Sequence, residues 1–210
     1  MCGLAGFLDP QRRHDPAASA AIAGAMAERL RHRGPDDAGL WRDCEAGLAF
    51  GFRRLSILDL SPAGHQPMIS RCGRLVMVFN GEIYNHRALR SELGSLGSGD
   101  WRGQSDSEVL LAAIAQWGFA GALDRLNGMF AMAVWDKARR QLWLARDRLG
   151  EKPLYYGTLD GVFLFASELK ALCAHPAWTG EIDRAALSLY LRHDYVPSPR
   201  SAFRHIGKLP

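Results

Sequence analysis

The sequence predicts one α+β domain built in layers, and three observations carry that prediction. Strand-like segments come in runs separated by pairs of helical segments, which differs from a regular strand–helix–strand succession. Two of the strands have no polar face. In "GLAFGFRRLSI", Leu48, Phe50 and Phe52 lie opposite Gly47, Ala49 and Gly51, and in "FAMAVWD", Phe130, Met132 and Val134 lie opposite Ala131 and Ala133. A strand with one large and one small apolar face is covered on both sides, by a helix layer and by a second sheet lying close. Finally, 210 residues at 48% hydrophobic are enough for one core, and 23% charged residues is the ordinary globular share.

In chain order, "CGLAGFL" reads as a short first strand whose glycines let another backbone or a ligand approach. "DPAASAAIAGAMAERLRHRG" reads as a helix, capped by Asp15, with Pro16 in its first turn and Gly34-Pro35 at its end. "RLVMVFNG" is an apolar strand that stops abruptly at Asn80-Gly81. "YNHRALRSELG" and "SDSEVLLAAIAQWG" have helical periods, the second opened by Ser105 or Asp106 as cap with Glu108 behind it. The Gly/Ser-rich "GSLGSGDWRGQ" joins them as a loop. Three strands follow in a row, "RQLWLARDR", "PLYYGT" and "GVFLFAS", and then the short helices "SELKALCAH" and "DRAALSLYLRH". From about Val196 the sequence turns Pro-rich and loses its period, which predicts a domain over 1–195 and the start of a linker over 196–210.

Composition excludes several classes of function. The net charge of +4 comes largely from scattered arginine pairs (Arg12-Arg13, Arg53-Arg54, Arg139-Arg140) without interleaved aromatics, so no nucleic acid is expected as partner. No stretch approaches the roughly 20 apolar residues of a membrane helix, and no signal peptide is evident, so a cytoplasmic protein without membrane attachment is expected. Cys2, Cys44, Cys72 and Cys173 show no CxxC spacing, and the seven histidines form no HExxH, so no metal is expected.

The opening "MCGLAGF" raises the chemical question. A lone cysteine is usually a packing residue. If Met1 is removed, however, Cys2 carries a thiol and a free α-amine together. A thiol of pKa near ~8.5 needs a base, and an α-amine titrating at about 7.7–8.0 can take its proton directly or through water. Acyl chemistry also needs an oxyanion hole. "FNGEIYN" offers the Asn80 amide and a Gly81 N–H unobstructed by a Cβ, although Asn-Gly is equally a common hairpin turn. Arg54, at the end of an alternating strand, can grip a carboxylate in two-pronged fashion, and Asp106 at a helix start suits an ammonium. Each of these is, taken singly, an ordinary surface ion or cap. Together they describe a pocket for an α-amino acid with a side-chain carbonyl.

The segments "MCGLAGF", "RHRGPDD", "RLSILDLSPAGHQPM", "VFNGEIYNH", "SDSEVLL", "LNGMFAMAVWD", "ARDRLGEKPLYY" and "FASELKAL" occur in this order over nearly the whole chain. In them the sequence resembles the N-terminal glutaminase domain of glutamine-dependent asparagine synthetases, a class II glutamine amidotransferase. The resemblance implies a four-layer αββα sandwich of the Ntn-hydrolase type, two antiparallel sheets flanked by helices. It implies Cys2 as nucleophile with its own α-amine as base, and Asn80 and Gly81 as oxyanion hole. It further implies Arg54 with backbone groups of Leu55 and Ile57 as the carboxylate site, and Glu82 and Asp106 as partners of the glutamine ammonium. L-Glutamine would be hydrolysed through a γ-glutamyl thioester, with no cofactor in this domain. ATP and Mg would belong to a C-terminal synthetase domain of the same chain that amidates aspartate, and no SGG-x-D-S pyrophosphate loop of such a domain occurs here. The readings left open are the same glutaminase feeding another acceptor (a surface-sugar acid or a peptide intermediate), a catalytically silent assembly domain, and a homodimer.

Overall fold

The computed structural model describes residues 1–97 and 100–210, so the expected Gly/Ser-rich loop lies partly, at Ser98 and Gly99, outside the described residues. The elements are β1 (Gly3–Leu8), α1 (Pro16–Glu28), β2 (Asp37–Asp43), β3 (Leu48–Arg54), β4 (Met68–Ile69), β5 (Leu75–Ile83), α2 (His86–Ser95), α3 (Asp106–Leu123), β6 (Gly128–Asp136), β7 (Gln141–Arg146), β8 (Tyr155–Leu159), β9 (Val162–Ala166), α4 (Leu169–Leu172), α5 (Arg184–His193) and β10 (Ile206–Lys208). The strands form a six-stranded sheet in the order β10-β8-β9-β1-β3-β2 and a four-stranded sheet in the order β4-β5-β6-β7. Every pairing is antiparallel.

The two sheets face each other and helices cover their outer faces, as the α+β sandwich requires. Between the sheets, Leu4, Leu48, Phe50, Phe52 and Phe165 of the larger one meet Val76, Val78, Ala131, Ala133 and Trp135 of the smaller. Outside the larger sheet, Ala5, Phe7, Ala49 and Leu164 pack with Met26 and Leu30 at the α1 end and with Leu172 of α4. Outside the smaller sheet, Met77, Phe79, Met132 and Val134 pack with Leu89 and Leu93 of α2 and with Val109, Leu110 and Ile114 of α3. The two alternating strands therefore point opposite ways. β3 sends its phenylalanines inward to the other sheet, and β6 sends Phe130, Met132 and Val134 outward to the helices, with Trp135 near its end turned inward. Large side chains of one sheet thus rest on small ones of the other, and burial of each large apolar side chain is worth about 1.5–3 kcal/mol. On the outer face of β3 the helix comes so close that a Cβ on Gly51 would lie 2.5 Å from the Ala23 carbonyl.

Local signals act largely as expected. Asp15 accepts the Ala18 N–H, and Ser105, the cap of α3, accepts the Glu108 N–H, which makes Asp106 the first helical residue. α1 ends at Glu28, ahead of Gly34, and the chain continues in turns to Arg33. At Gly118, where the second central helix was expected to end, φ is 75° and α3 kinks before a last segment to Leu123. The edge strand β2, "DAGLWRD", escaped the sequence reading because its charges resemble a loop, yet charged residues are what protects an open sheet edge.

Two expectations need correction. β5 does not stop at Asn80-Gly81 but runs to Ile83, with Asn80 opposite Ala131 and Gly81 opposite Phe130, so this Asn-Gly is no hairpin turn. Residues 196–210 are no free linker: Ile206–Lys208 pair with Tyr155–Gly157 as β10, Ser201 Oγ donates to Ile206 O at 2.7 Å, and Leu209 N donates to Leu154 O at 2.8 Å. A three-residue strand among prolines has too little period to be read, but its one apolar side chain, Ile206, fills the core under β8. Among the described residues no helix is long and apolar enough to cross a membrane.

Ile206→Ala should therefore cost about 2–4 kcal/mol in urea-induced unfolding, the range for a truncated core aliphatic. A change within about 0.5 kcal/mol, as at an exposed linker position, would return this segment to the linker class.

Candidate active site

Cys2 precedes β1 directly and shares the inward face of Leu4 two residues on, so its side chain packs against the inter-sheet core. The chain leaving β3 passes beside it: Leu55 N–H donates to Cys2 Sγ at 3.4 Å, and the thiol donates to Leu55 O at 3.6 Å. Arg33 donates from Nε to the Cys2 carbonyl at 2.9 Å and from Nη1 to Glu168 Oε1 at 2.8 Å. Burial pushes the Glu168 carboxyl up, but hydrogen bonds from Arg33, Lys170 and His32 outweigh it and bring it down to about 2.

The opposite wall is the edge of β5, which loses its strand partner after the Met68–Met77 pair. Alternate residues of a strand turn their N–H and C=O groups to the same side. Leu75 faces the β4 side, bonded to Ser70, so Phe79, Gly81 and Ile83 face it as well. Phe79 exchanges both its groups with the Gln66 side chain, its N–H donating to Oε1 at 2.6 Å and its carbonyl accepting from Nε2 at 3.2 Å. Ile83 N–H donates to Asp106 Oδ2 at 2.8 Å. Gly81 N–H lies between these two caps with no strand across from it. Asn80, of the opposite parity, turns its side chain inward with Val76 and Val78. The residue is 2% exposed, and its Nδ2 has no partner among the described residues. A buried donor left unpaired costs about 1–3 kcal/mol, so a native one asks for a ligand oxygen.

A cavity of about 160 Å³ opens between the walls. Every residue singled out in the sequence borders it: Cys2, Arg54, Leu55, Ile57, Asn80, Gly81, Glu82 and Asp106. Arg54 is buried and its guanidinium is partly engaged, with Nη1 donating to Ser61 O at 3.0 Å and Nη2 to Asp59 O. Its Nε takes no acceptor among the described residues. Asp59 in turn accepts N–H groups of Ser61 and Gln104, both at 2.8 Å, and so fastens the 55–66 loop to the segment before α3. Gly64 leaves room for this guanidinium: a Cβ there would lie 2.0 Å from Arg54 Nη2 and would displace it from its present position.

The electrostatics suit a charged guest. Burial pushes the Asp106 carboxyl up; the Ile83 N–H, His86 and the Ser107 N–H pull the other way, and Glu82 adds to the rise. Burial likewise raises the Cys2 thiol, offset in part by the Leu55 N–H, the chain's terminal charge and Arg54, while Asp106 raises it further. Among the described residues no three His, Cys, Asp or Glu side chains converge as metal ligands would. Reading the sequence by residue type missed Gln66, Asp59, Arg33 and Lys152, all of which border or brace the cavity. Their only signal was membership in the motifs "RHRG", "LDLSPAGHQPM" and "GEKP", whose roles depend on contacts far away in sequence.

Two stacked antiparallel sheets with helices outside, and a site where their inner faces part, define the fold shared with solved amidotransferases. The glutamine phosphoribosylpyrophosphate amidotransferase of Bacillus subtilis superposes with a TM-score of 0.68 at 22% identity, over 82% of this chain and 43% of that one. At that identity the likeness is one of fold. The sequence profile of the glutamine amidotransferase domain matches residues 1–210, and the chain belongs to that family. Among curated relatives, the putative glutamine-hydrolyzing asparagine synthetase of Mycobacterium tuberculosis is 42% identical over 100% of this chain and 34% of its own length. The Bacillus subtilis asparagine synthetase 3 is 40% identical over 90% and 30%. A protein of Gibberella zeae named an amidase is 34% identical over 85% and 28%. The chain thus spans about a third of the length of the curated relatives it matches.

Asp106→Asn keeps an acceptor for the Ile83 N–H and removes the charge. The folded carboxyl binds its proton at higher pH than the unfolded one, near ~3.9, so protonation favours the folded state. As pH falls from neutrality toward about 4, the native chain should gain stability relative to the Asn variant in denaturant titrations. A gap that is constant with pH would mean that Asp106 is not strained by burial.

Proposed function

We propose that this domain hydrolyses L-glutamine to glutamate and ammonia through a γ-glutamyl thioester on Cys2. The observation that carries the reading is the pair of unspent donors, Asn80 Nδ2 and Gly81 N–H, placed beside the gap that Cys2 enters from the other sheet. Removal of Met1 frees the α-amine of Cys2, which takes the thiol proton as sulfur attacks the γ-carbonyl. The carbonyl oxygen gathers negative charge and accepts from Asn80 and Gly81, where preorganised donors lower the barrier most. The amine then returns the proton to the departing nitrogen, the C–N bond breaks, and ammonia leaves. Water adds to the thioester by the same route, giving glutamate and the free thiol.

Arg54, with backbone groups of Leu55 and Ile57, takes the α-carboxylate, and Glu82 and Asp106 take the ammonium. Burial pushes the Asp106 carboxyl up, and a cation beside it pulls it back down. A silent assembly role fits poorly with a thiol, two free donors and opposite charges held in one cavity. The printed names of the relatives, asparagine synthetase [glutamine-hydrolyzing], support passage of the ammonia to an ATP- and Mg-dependent domain that amidates aspartate. The relative named an amidase supports a second reading of the acceptor alone, since the same domain there serves a protein of another name. We place the protein in the cytoplasm, where its four thiols stay reduced.

Cys2→Ala should abolish glutamine hydrolysis while unfolding at the native midpoint; hydrolysis that persists removes Cys2 from the mechanism. Asn80→Ala should lower kcat by about 10²–10³, or about 2.7–4 kcal/mol, the range for one lost oxyanion donor. An unchanged kcat would leave Asn80 a packing residue.

A further inference from the structure

The cavity holds a charge that the proposed chemistry has not used. Lys152 borders it and is 8% exposed, and its ammonium meets one partner among the described residues, the Met1 thioether, with Nζ 3.5 Å from Sδ. Among the described residues it takes part in no ion pair. Burying an ammonium without a counter-ion is costly, so the chain must gain something from it.

The backbone beneath is built to keep it there. The Asp147 carboxylate accepts N–H groups of Phe130 at 3.0 Å, Leu149 at 3.2 Å, Glu151 at 2.9 Å and Lys152 at 3.1 Å. Arg146 Nε donates to Lys152 O at 2.8 Å, and the same guanidinium reaches Gly150 O. This is the physical content of "RDRLGEK": an arginine and an aspartate lock a six-residue turn whose last side chain points at the first residue of the protein. The Met1 thioether is also 3.9 Å from Arg33 Nη2, but that guanidinium is matched by Glu168. Lys152 is matched by nothing.

We propose that Lys152 holds the α-amine of Cys2 in its free-base form at neutral pH, by standing as a like charge beside it once Met1 has gone. The inference rests on the reading of that amine as the base. Arg54, Asp59, Glu82 and Asp106 share the cavity with Lys152, Arg33 holds the Cys2 carbonyl, and the Asp59 carboxylate is spent on the Ser61 and Gln104 N–H groups. Arg33, from the turns after α1, is neutralised by Glu168; Arg54, at the end of β3, spends part of its guanidinium on loop carbonyls. Glu82 of β5 and Asp106 of α3 lie across the cavity and favour an ammonium. Without Lys152 the balance tips toward those carboxylates, and the amine is protonated and idle at the pH where it must work.

The α-amine is titrated by ¹³C NMR after reductive ¹³C-methylation, in a Cys2→Ala background that prevents cyclisation of the terminal cysteine with formaldehyde. Lys152→Met should raise the midpoint by roughly one pH unit, the low end of what a nearby like charge imposes, and Lys152→Arg should leave it near the parent. With Cys2 present, the acid limb of kcat/KM for glutamine hydrolysis should move by the same amount. If Lys152→Met does not fold, Lys152→Gln is read in the same way. Coincident midpoints in chains shown by intact mass to have lost Met1 overturn the part given to Lys152 and leave the glutaminase reading standing. Met1 retained on a chain that hydrolyses glutamine overturns the base itself, and this inference with it.

Discussion

The site depends on how β5 parts company with β4. A strand edge in a protein interior must have its N–H and C=O groups answered, and β4 answers only those up to Met77. Beyond that point single side chains replace the missing strand: Gln66 takes both groups of Phe79, and Asp106 takes the N–H of Ile83. The N–H between them is left open by parity, because those two caps occupy the alternate positions on either side. A continuous fifth strand would close the site, and an uncapped edge would carry several unmet groups. What stands is an edge satisfied everywhere but at Gly81, whose own Cβ is barred in any case by the Met129 carbonyl, 2.3 Å from where it would lie.

That arrangement has a cost, and the cost has a direction. Among the described residues Asn80 Nδ2 is buried unpaired, Asp106 is desolvated, and Lys152 has no counter-ion. Each is the kind of group that a core tolerates only where something else over-determines its position. Here the large-on-small packing of the two sheets does so. Phe50, Phe52 and Phe165 against Val76, Val78, Ala131 and Ala133 fix the spacing of the sheets, and with it the gap between the Cys2 end of β1 and the Asn80 end of β5. Strain of this type is relieved when a ligand supplies an oxygen, an ammonium and a carboxylate in the right places.

The layers were legible because alternation of large and small residues in "GLAFGFRRLSI" and "FAMAVWD" has one physical meaning, cover on both faces. The direction of each face was not, since nothing within one strand says whether its large side points to helix or sheet; that is decided by the partner across the gap. Cys2, Arg54, Asn80, Gly81 and Asp106, unlike Lys152, were legible as types, each placed at an element end where its chemistry suggested a use. Their supports were not. Gln66 lies 13 residues from Phe79, Asp59 45 from Gln104, and Arg33 135 from Glu168. A brace is defined by what it touches, and a single sequence carries no trace of such distant contacts. The Pro-rich tail failed for a different reason: prolines report local loss of period, while a three-residue strand such as β10 is held by the edge of β8 and not by its own propensity.

In the proposed reaction the charges would also fix which way the glutamine lies. Arg54 stands at the end of β3 in the larger sheet, and Glu82 and Asp106 stand beside the smaller, so the two ends of a zwitterion are sorted by sheet. Reversal would set a carboxylate against two acids and an ammonium against a guanidinium, and both contacts would be repulsive. With both charged groups held at one α-carbon, the side chain of the guest has a single way out of its own anchor, toward the gap where sulfur and the two open donors meet. Arg54 does more than hold a charge in this scheme. Its guanidinium also ties down Asp59 and Ser61, so the grip on the guest and the wall that encloses it share one residue. In the proposed reaction, selection among amino acids would follow from length: a side-chain carbonyl one methylene short of the gap would leave Asn80 and Gly81 unanswered, and those are the two bonds that would lower the barrier.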